Sequence, residues 1–192
     1  ATVNFGNITR IEICWDAAGN PGVWEADEVP APGKIYQHLY PNFQTPLVKT
    51  YSVTYRVYSG LSCVNETTRQ LTVHAAPSVQ FLAISDACLD ATPFQVTQAS
   101  ETGGVPGTGV FSGPGISAAG IFNPASVGPG IYPIQYLFTA TTAGCADSMT
   151  AMIKVLRPPE ADFAVANPAC ETLDLLFTDH SGTPEGQLAS WN

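Results

Sequence analysis

Charge is scarce in this chain. Charged residues make up 12% of its 192 positions, about half the share of an ordinary globular protein. Only seven residues are basic against 16 acidic, a net charge of −9. Nucleic acid is therefore excluded as a partner, because neutralising phosphates takes clustered lysine and arginine. Anionic membrane surfaces are excluded for the same reason. No apolar run reaches 18 residues, so the segment holds no membrane-spanning helix. Zinc spacings such as C-x-x-C or H-x-x-x-H are missing. So are the G-x-S-x-G nucleophile elbow and the phosphate-binding glycine loop. These gaps remove the commonest catalytic chemistries, and the chain is read as a non-enzyme. No 12-residue stretch keeps an apolar stripe of period 3.6, which excludes long amphipathic helices.

Strand signals fill the space left by helices. Tyr51, Val53, Tyr55 and Val57 alternate with Ser52, Thr54, Arg56 and Tyr58, the period of two that marks a half-buried strand. The phrase returns as Tyr132, Ile134, Tyr136 and Phe138. Further strands are expected at 9–16, 34–40, 67–75, 79–84, 94–99, 109–112, 131–139 and 148–156. Turn signals separate them, among them Gly103-Gly104, Pro106-Gly107, Gly113-Pro114-Gly115 and Gly128-Pro129-Gly130. Short strands at regular spacing with such turns predict an all-β fold of sandwich modules.

The modules repeat with a period of 82 residues. Cys63 lies 14 residues before Pro77 and Cys88 lies 11 after it; Cys145 lies 14 before Pro159 and Cys170 lies 11 after it. The period divides the chain into 1–77, 78–158 and 159–192. The last piece is too short to bury a core alone and is expected to open a module that continues. Ala75-Ala76-Pro77 and Arg157-Pro158-Pro159 form the junctions. Proline fixes φ there, so the links are expected to be short and semi-rigid, with modules arranged end to end.

The same period suggests the cysteine pairing. Within the one complete module it joins Cys88 to Cys145, and closing a loop of that size would stabilise the module by about 4 kcal/mol in the chain-entropy model. Cys63 and Cys170 are then expected to pair outside this window. Cys14 is left over as a buried free thiol, or pairs with Cys63 in a rival assignment. Disulfides of this kind imply an oxidising, extracellular compartment.

The second module reads Gly109-Val-Phe-Ser-Gly-Pro-Gly-Ile116, Gly120-Ile-Phe-Asn-Pro124, Gly128-Pro-Gly-Ile-Tyr-Pro-Ile-Gln-Tyr136 and Gly144-Cys145. It resembles the Ig-like and PKD-like (polycystic kidney disease) repeats of very large surface proteins of Bacteroidetes, including gliding-motility-associated adhesins exported by the type IX system. The third piece, from Phe163 through Phe177-Thr-Asp-His-Ser181 to Trp191, resembles the opening of a PKD module. The first resembles a divergent PKD-like module lacking its N-terminal strands, with Ile11-Glu-Ile-Cys-Trp-Asp16 where the family's signature would stand. The resemblance implies a structural repeat in a giant adhesin or extracellular filament, serving attachment, gliding or prey capture as a mechanical stalk. Its partners would be flanking modules of the same polypeptide and, side by side, further copies. Two rival readings stand beside this one: a glycan- or protein-binding module with Trp24 and the 23–28 loop as its contact patch, and an accessory region of a secreted hydrolase.

Candidate sites are few. Trp24, Glu25, Asp27 and Glu28 form an acidic, aromatic loop that suits a ligand patch. Hard Ca²⁺ sites gather carboxylates in this way, but no EF-hand or repeat-type pattern accompanies the loop. A solvated loop without cofactor is therefore expected. His38, His74 and His180 have no ligand spacing, and His38 reads as a strand residue among Tyr36 and Tyr40. Trp15 and Trp191 read as core residues. Asp147-Ser148-Met149 matches the short O-glycosylation motif of secreted Bacteroidetes proteins, which nominates Ser148.

Overall fold

The computed structural model describes residues 7–60, 63–165 and 174–183. Cys170 and Trp191 lie outside the described residues. The chain is all-β; the described residues form strands and one three-residue 3-10 turn, with no α-helix. It divides into two units, 1–76 and 77–192.

The first unit is one antiparallel sheet. Its strands are β1 (Ile8–Cys14), β2 (Glu25–Asp27), β3 (Val48–Ser59) and β4 (Cys63–His74), in the order β2-β1-β3-β4. The register sets Ile11 against Val57 and Ile13 against Tyr55. Period two then divides the side chains between two faces. Ile11, Ile13, Tyr51 and Tyr55 share one face; Arg10, Glu12, Cys14, Thr54, Arg56 and Tyr58 share the other. Ile13 and Cys14 are fully buried.

Residues 34–40 depart from expectation. Their alternation predicts a strand, yet they pair with no ladder and lie extended across the apolar face. Side chains hold them instead. Tyr36 meets Tyr55 edge-on at 6.2 Å, and Tyr40 packs on Tyr51 at 4.1 Å. The alternation is real but records ring packing rather than backbone pairing. Ile35 and Leu39, on the outward side of the segment, are more than 80% exposed.

The second unit is a sandwich. One layer is the sheet β6 (Ala87–Cys88), β12 (Ala146–Leu156), β11 (Gly130–Ala140), β9 (Gly107–Ser112), in that order. The short pairs β5 (Val79–Phe81) with β8 (Ala99–Glu101), and β7 (Phe94–Gln95) with β10 (Ile121–Phe122), supply the opposing residues. A hairpin of β13 (Phe163–Val165) and β14 (Phe177–Asp179) follows. Phe81, Val96, Phe122, Ile134, Ile153 and Val155 make the core, with Phe122, Ile134 and Ile153 wholly buried. Strand β11 reads as the sequence predicts: Tyr132, Ile134, Tyr136 and Phe138 point inward while Ile131, Gln135 and Leu137 face water. Gly120 has φ +87, and a Cβ there would strike the Phe111 ring and the Gln95 amide. Only glycine fits this turn.

The cysteine pairing inside the module is corrected by this register. Cys88 and Cys145 are free thiols. Cys88 stands opposite Leu156, the last residue of β12, whereas Cys145 immediately precedes the first. Eleven residues at about 3.3 Å each separate them by roughly 36 Å, far beyond the ~7 Å Cα separation that a disulfide tolerates. The rival pair fails similarly. Cys14 is level with Thr54, which faces Thr68, five residues along β4 from Cys63 and two strands away. Cys14 is a buried free thiol, its Sγ 3.5 Å from the Asn20 carbonyl.

Ile134→Ala empties the centre of the second unit and is expected to lower its stability by about 2–5 kcal/mol, measured by urea unfolding; a loss below about 0.5 kcal/mol would contradict the core assignment. Alkylation and peptide mapping of the isolated chain are expected to return Cys88 and Cys145 as separate thiols. A cross-linked peptide joining them would refute the register of β6 on β12.

Candidate ligand-binding surface of the first unit

The loop that reads as one patch in the sequence is split by the sheet. Strand β2 pairs Glu25 with Ile13 and Asp27 with Ile11, so both carboxylates fall on the tyrosine-covered face. Trp24 and Glu28 serve the opposite face. Each residue is engaged within the unit. The Trp24 indole donates to the Pro21 carbonyl at 3.1 Å, and the Arg56 guanidinium lies 4.2 Å over its ring. Glu25 accepts from Trp15 Nε1 at 2.8 Å. Glu28 pairs with Arg10 at 2.9 Å.

Asp27 is the most heavily bonded. It accepts from Lys34 Nζ at 2.7 Å, Tyr36 OH at 2.6 Å and the Val29 amide at 3.1 Å. The Lys34 and Tyr36 bonds, largest first, hold its carboxyl at about 2, below the ordinary 3.8. Burial and the Asp27 bond push the Tyr36 phenol upward in turn. Asp27 thus ties the covering segment to β2.

On the polar face, Glu12 accepts from Tyr58 OH at 2.7 Å and pairs with Arg10 at 2.6 Å and Arg56 at 3.4 Å. Arg56 continues to Glu66 at 2.9 Å. The Tyr58 bond and then the two arginines hold the Glu12 carboxyl below its ordinary range, against a desolvation penalty. The acidic side chains are therefore members of internal networks. No group of three potential metal ligands occurs among the described residues.

An open feature of this unit lies elsewhere. A cleft of about 700 Å³ is bounded by three chain segments, 16–20, 38–41 and 46–51. His38 stacks on Trp15 at 4.9 Å, nearly parallel, and meets Tyr40 edge-on at 4.7 Å. Tyr40 OH donates to the Trp15 carbonyl at 3.0 Å, and its burial raises the phenol's pKa. Asp16 closes its own loop, accepting from the Gly19 amide at 3.0 Å and from Asn20 Nδ2 at 3.2 Å. Sequence reasoning missed this cleft. Its aromatic residues are spread over 15–51, and only the packing of 34–40 brings them together. The alternation of Tyr36, His38 and Tyr40 was the available signal.

The other nominated residue sits in the second unit. Ser148 is exposed near the start of β12, opposite Leu137. Its neighbour Asp147 accepts from the Val79 amide at 2.8 Å, which anchors β5 to β12. His74 ends β4 opposite Val48, and the His180 amide donates to the Asp162 carbonyl.

No family model matches the chain, and no curated protein matches it. Cadherin extracellular segments are among the solved structures that it resembles. Drosophila N-cadherin EC1-3 is 11% identical at a TM-score of 0.34, with 57% of this chain and 44% of that one covered. Protocadherin gamma B2 domains 3-6 are 10% identical at 0.34, with 72% and 44% covered. Drosophila N-cadherin EC1-4 is 11% identical at 0.32, with 71% and 43% covered. The chain spans less than half the length of each. At such scores the likeness carries no functional argument, and function is read from the chain's own residues.

The Asp27 ties predict an acid dependence. A carboxyl whose pKa is depressed on folding contributes stability above its unfolded value, here 3.8, and loses it as pH falls through about 2. Unfolding of the first unit, followed by indole fluorescence, is expected to become easier across that window. Asp27→Asn lowers stability at neutral pH and flattens the slope to the part that Glu12 carries. An unchanged slope would contradict the tie.

Proposed function

We propose that the chain is a load-bearing spacer in a repeat-built, secreted surface protein, an adhesin stalk or extracellular filament. The observation that carries this reading is the parallel pairing of β6, near the entry of the second unit, with β12, the last strand of its sandwich. Ala87 faces Val155 and Cys88 faces Leu156 in parallel register, and the Leu89 amide donates to the Leu156 carbonyl at 2.8 Å. The Val79–Asp147 bond pins the other end of this stretch at 2.8 Å. Tension applied at the two ends of the unit drags these strands lengthwise past each other. Bonds spread along a sheared pair are loaded together, whereas a peeled hairpin loses them one at a time.

The sequence supports the same reading. The 82-residue period, the proline junctions and the low charge suit a spacer that presents little chemistry of its own. An extracellular setting fits the charge-poor, threonine- and serine-rich composition. The family resemblance adds that the parent is a Bacteroidetes surface protein exported by the type IX system. The cysteines that keep the period are then junction residues. Cys88 and Cys145 sit at opposite poles of one module, so neither closes a loop inside it.

Single-molecule stretching tests the mechanical reading. Leu89→Pro removes the amide that bonds Leu156, while Leu89→Ala removes the same side chain but keeps the amide. The proline variant is expected to lower the unfolding force of the second unit well below that of the alanine variant. Equal forces would contradict a shear-loaded pairing.

A further inference from the structure

We propose that the cleft of the first unit binds a short, neutral saccharide. This site is independent of the stalk reading, and no residue of the 24–28 loop lines it. Its volume, about 700 Å³, falls within the range of small-molecule sites and accommodates two or more sugar rings. Three separated segments contribute to it, so folding creates it and no single loop does.

Its chemistry selects the ligand. His38, Tyr40 and Tyr51 give the cleft aromatic walls, the surface on which the C–H faces of a pyranose pack. Asp16, Asn20 and Lys49 line the same space and offer acceptors, an amide and an ammonium group to hydroxyls. One carboxylate and one ammonium leave the lining without net charge, which suits a neutral ligand better than a phosphate or a uronate. The rings are held in place before any ligand arrives. His38 rests on Trp15, Tyr40 is bonded to the Trp15 carbonyl, and Lys49 lies 4.4 Å over the Phe43 ring. Such preorganisation removes much of the ordering cost of binding.

A proline-rich peptide is the rival occupant of an aromatic groove. That mode needs ring donors free to meet peptide carbonyls. Here Trp15 Nε1 already donates to Glu25 and Tyr40 OH to the Trp15 carbonyl. A polyproline segment also has no N–H to give the Asp16 carboxylate, which keeps lone pairs for sugar hydroxyls beyond those bonded to Gly19 and Asn20. The geometry favours the saccharide.

Proton NMR of the unmodified 192-residue chain tests this without relying on a variant. Cellotetraose, chitotetraose and decaproline are titrated separately to about 10 mM, above the ~1 mM Kd at which weak specific binding is still measurable. A saturable shift of the His38 ring resonances with either tetrasaccharide, with those of His180 unmoved, is the expected result. His38→Ala, at an exposed position, is expected to weaken binding about tenfold or more, and Trp24→Phe on the opposite face to leave it unchanged. No His38 shift with either sugar overturns the proposal. So does a shift with decaproline alone, which would make the cleft a peptide groove, or sugar binding that His38→Ala leaves intact.

Discussion

A sheet must cover its apolar face, and both units are organised by how they meet that demand. In the second unit the four-stranded layer is closed by short pairs that deliver Phe81, Val96 and Phe122 onto Ile134 and Ile153. Water is excluded and a sandwich core results. The first unit has a single sheet. Its face is covered by an extended segment that contributes rings in place of a ladder, with Asp27 tying that segment down through Lys34 and Tyr36. Ring packing without backbone pairing seals less completely. The cleft beside His38 and Tyr40 is the space such a cover leaves open.

The two faces of the first sheet also show how a chain with few charges uses them. Glu12, Arg10, Arg56, Glu66, Glu28 and Tyr58 form one network across the polar face. Surface pairs singly contribute little. A half-buried network around Glu12 contributes more, because each partner satisfies a group that burial would otherwise strand. Of the charges that a sequence reading assigns to a ligand patch, Glu28 joins this network, Asp27 ties down the covering segment and Glu25 holds the Trp15 indole.

Much of this was legible in the sequence, and the failures have physical causes. The alternation in 51–58 and 131–139 located the central strand of each unit, since a half-buried strand writes its burial directly into its residues. The alternation at 34–40 misled, because period two reports which side chains point inward and says nothing about backbone partners. The 24–28 cluster looked like one site because neighbours in sequence were taken as neighbours in space, and a strand sends them to opposite faces. The cysteines failed for a related reason. Their spacing from Pro77 and Pro159 encodes a repeat, but position along a strand decides distance, and β12 runs the full height of the module between Cys88 and Cys145. The cleft was invisible because tertiary packing alone assembles it.

The central proposal is that these modules act as a string under load. Electron microscopy of the native full-length protein tests it most directly. The account predicts a thin fibre with an axial repeat of roughly 35–45 Å, the length of an 11-residue strand at about 3.4 Å per residue plus a short junction. A compact particle with no axial repeat would contradict it.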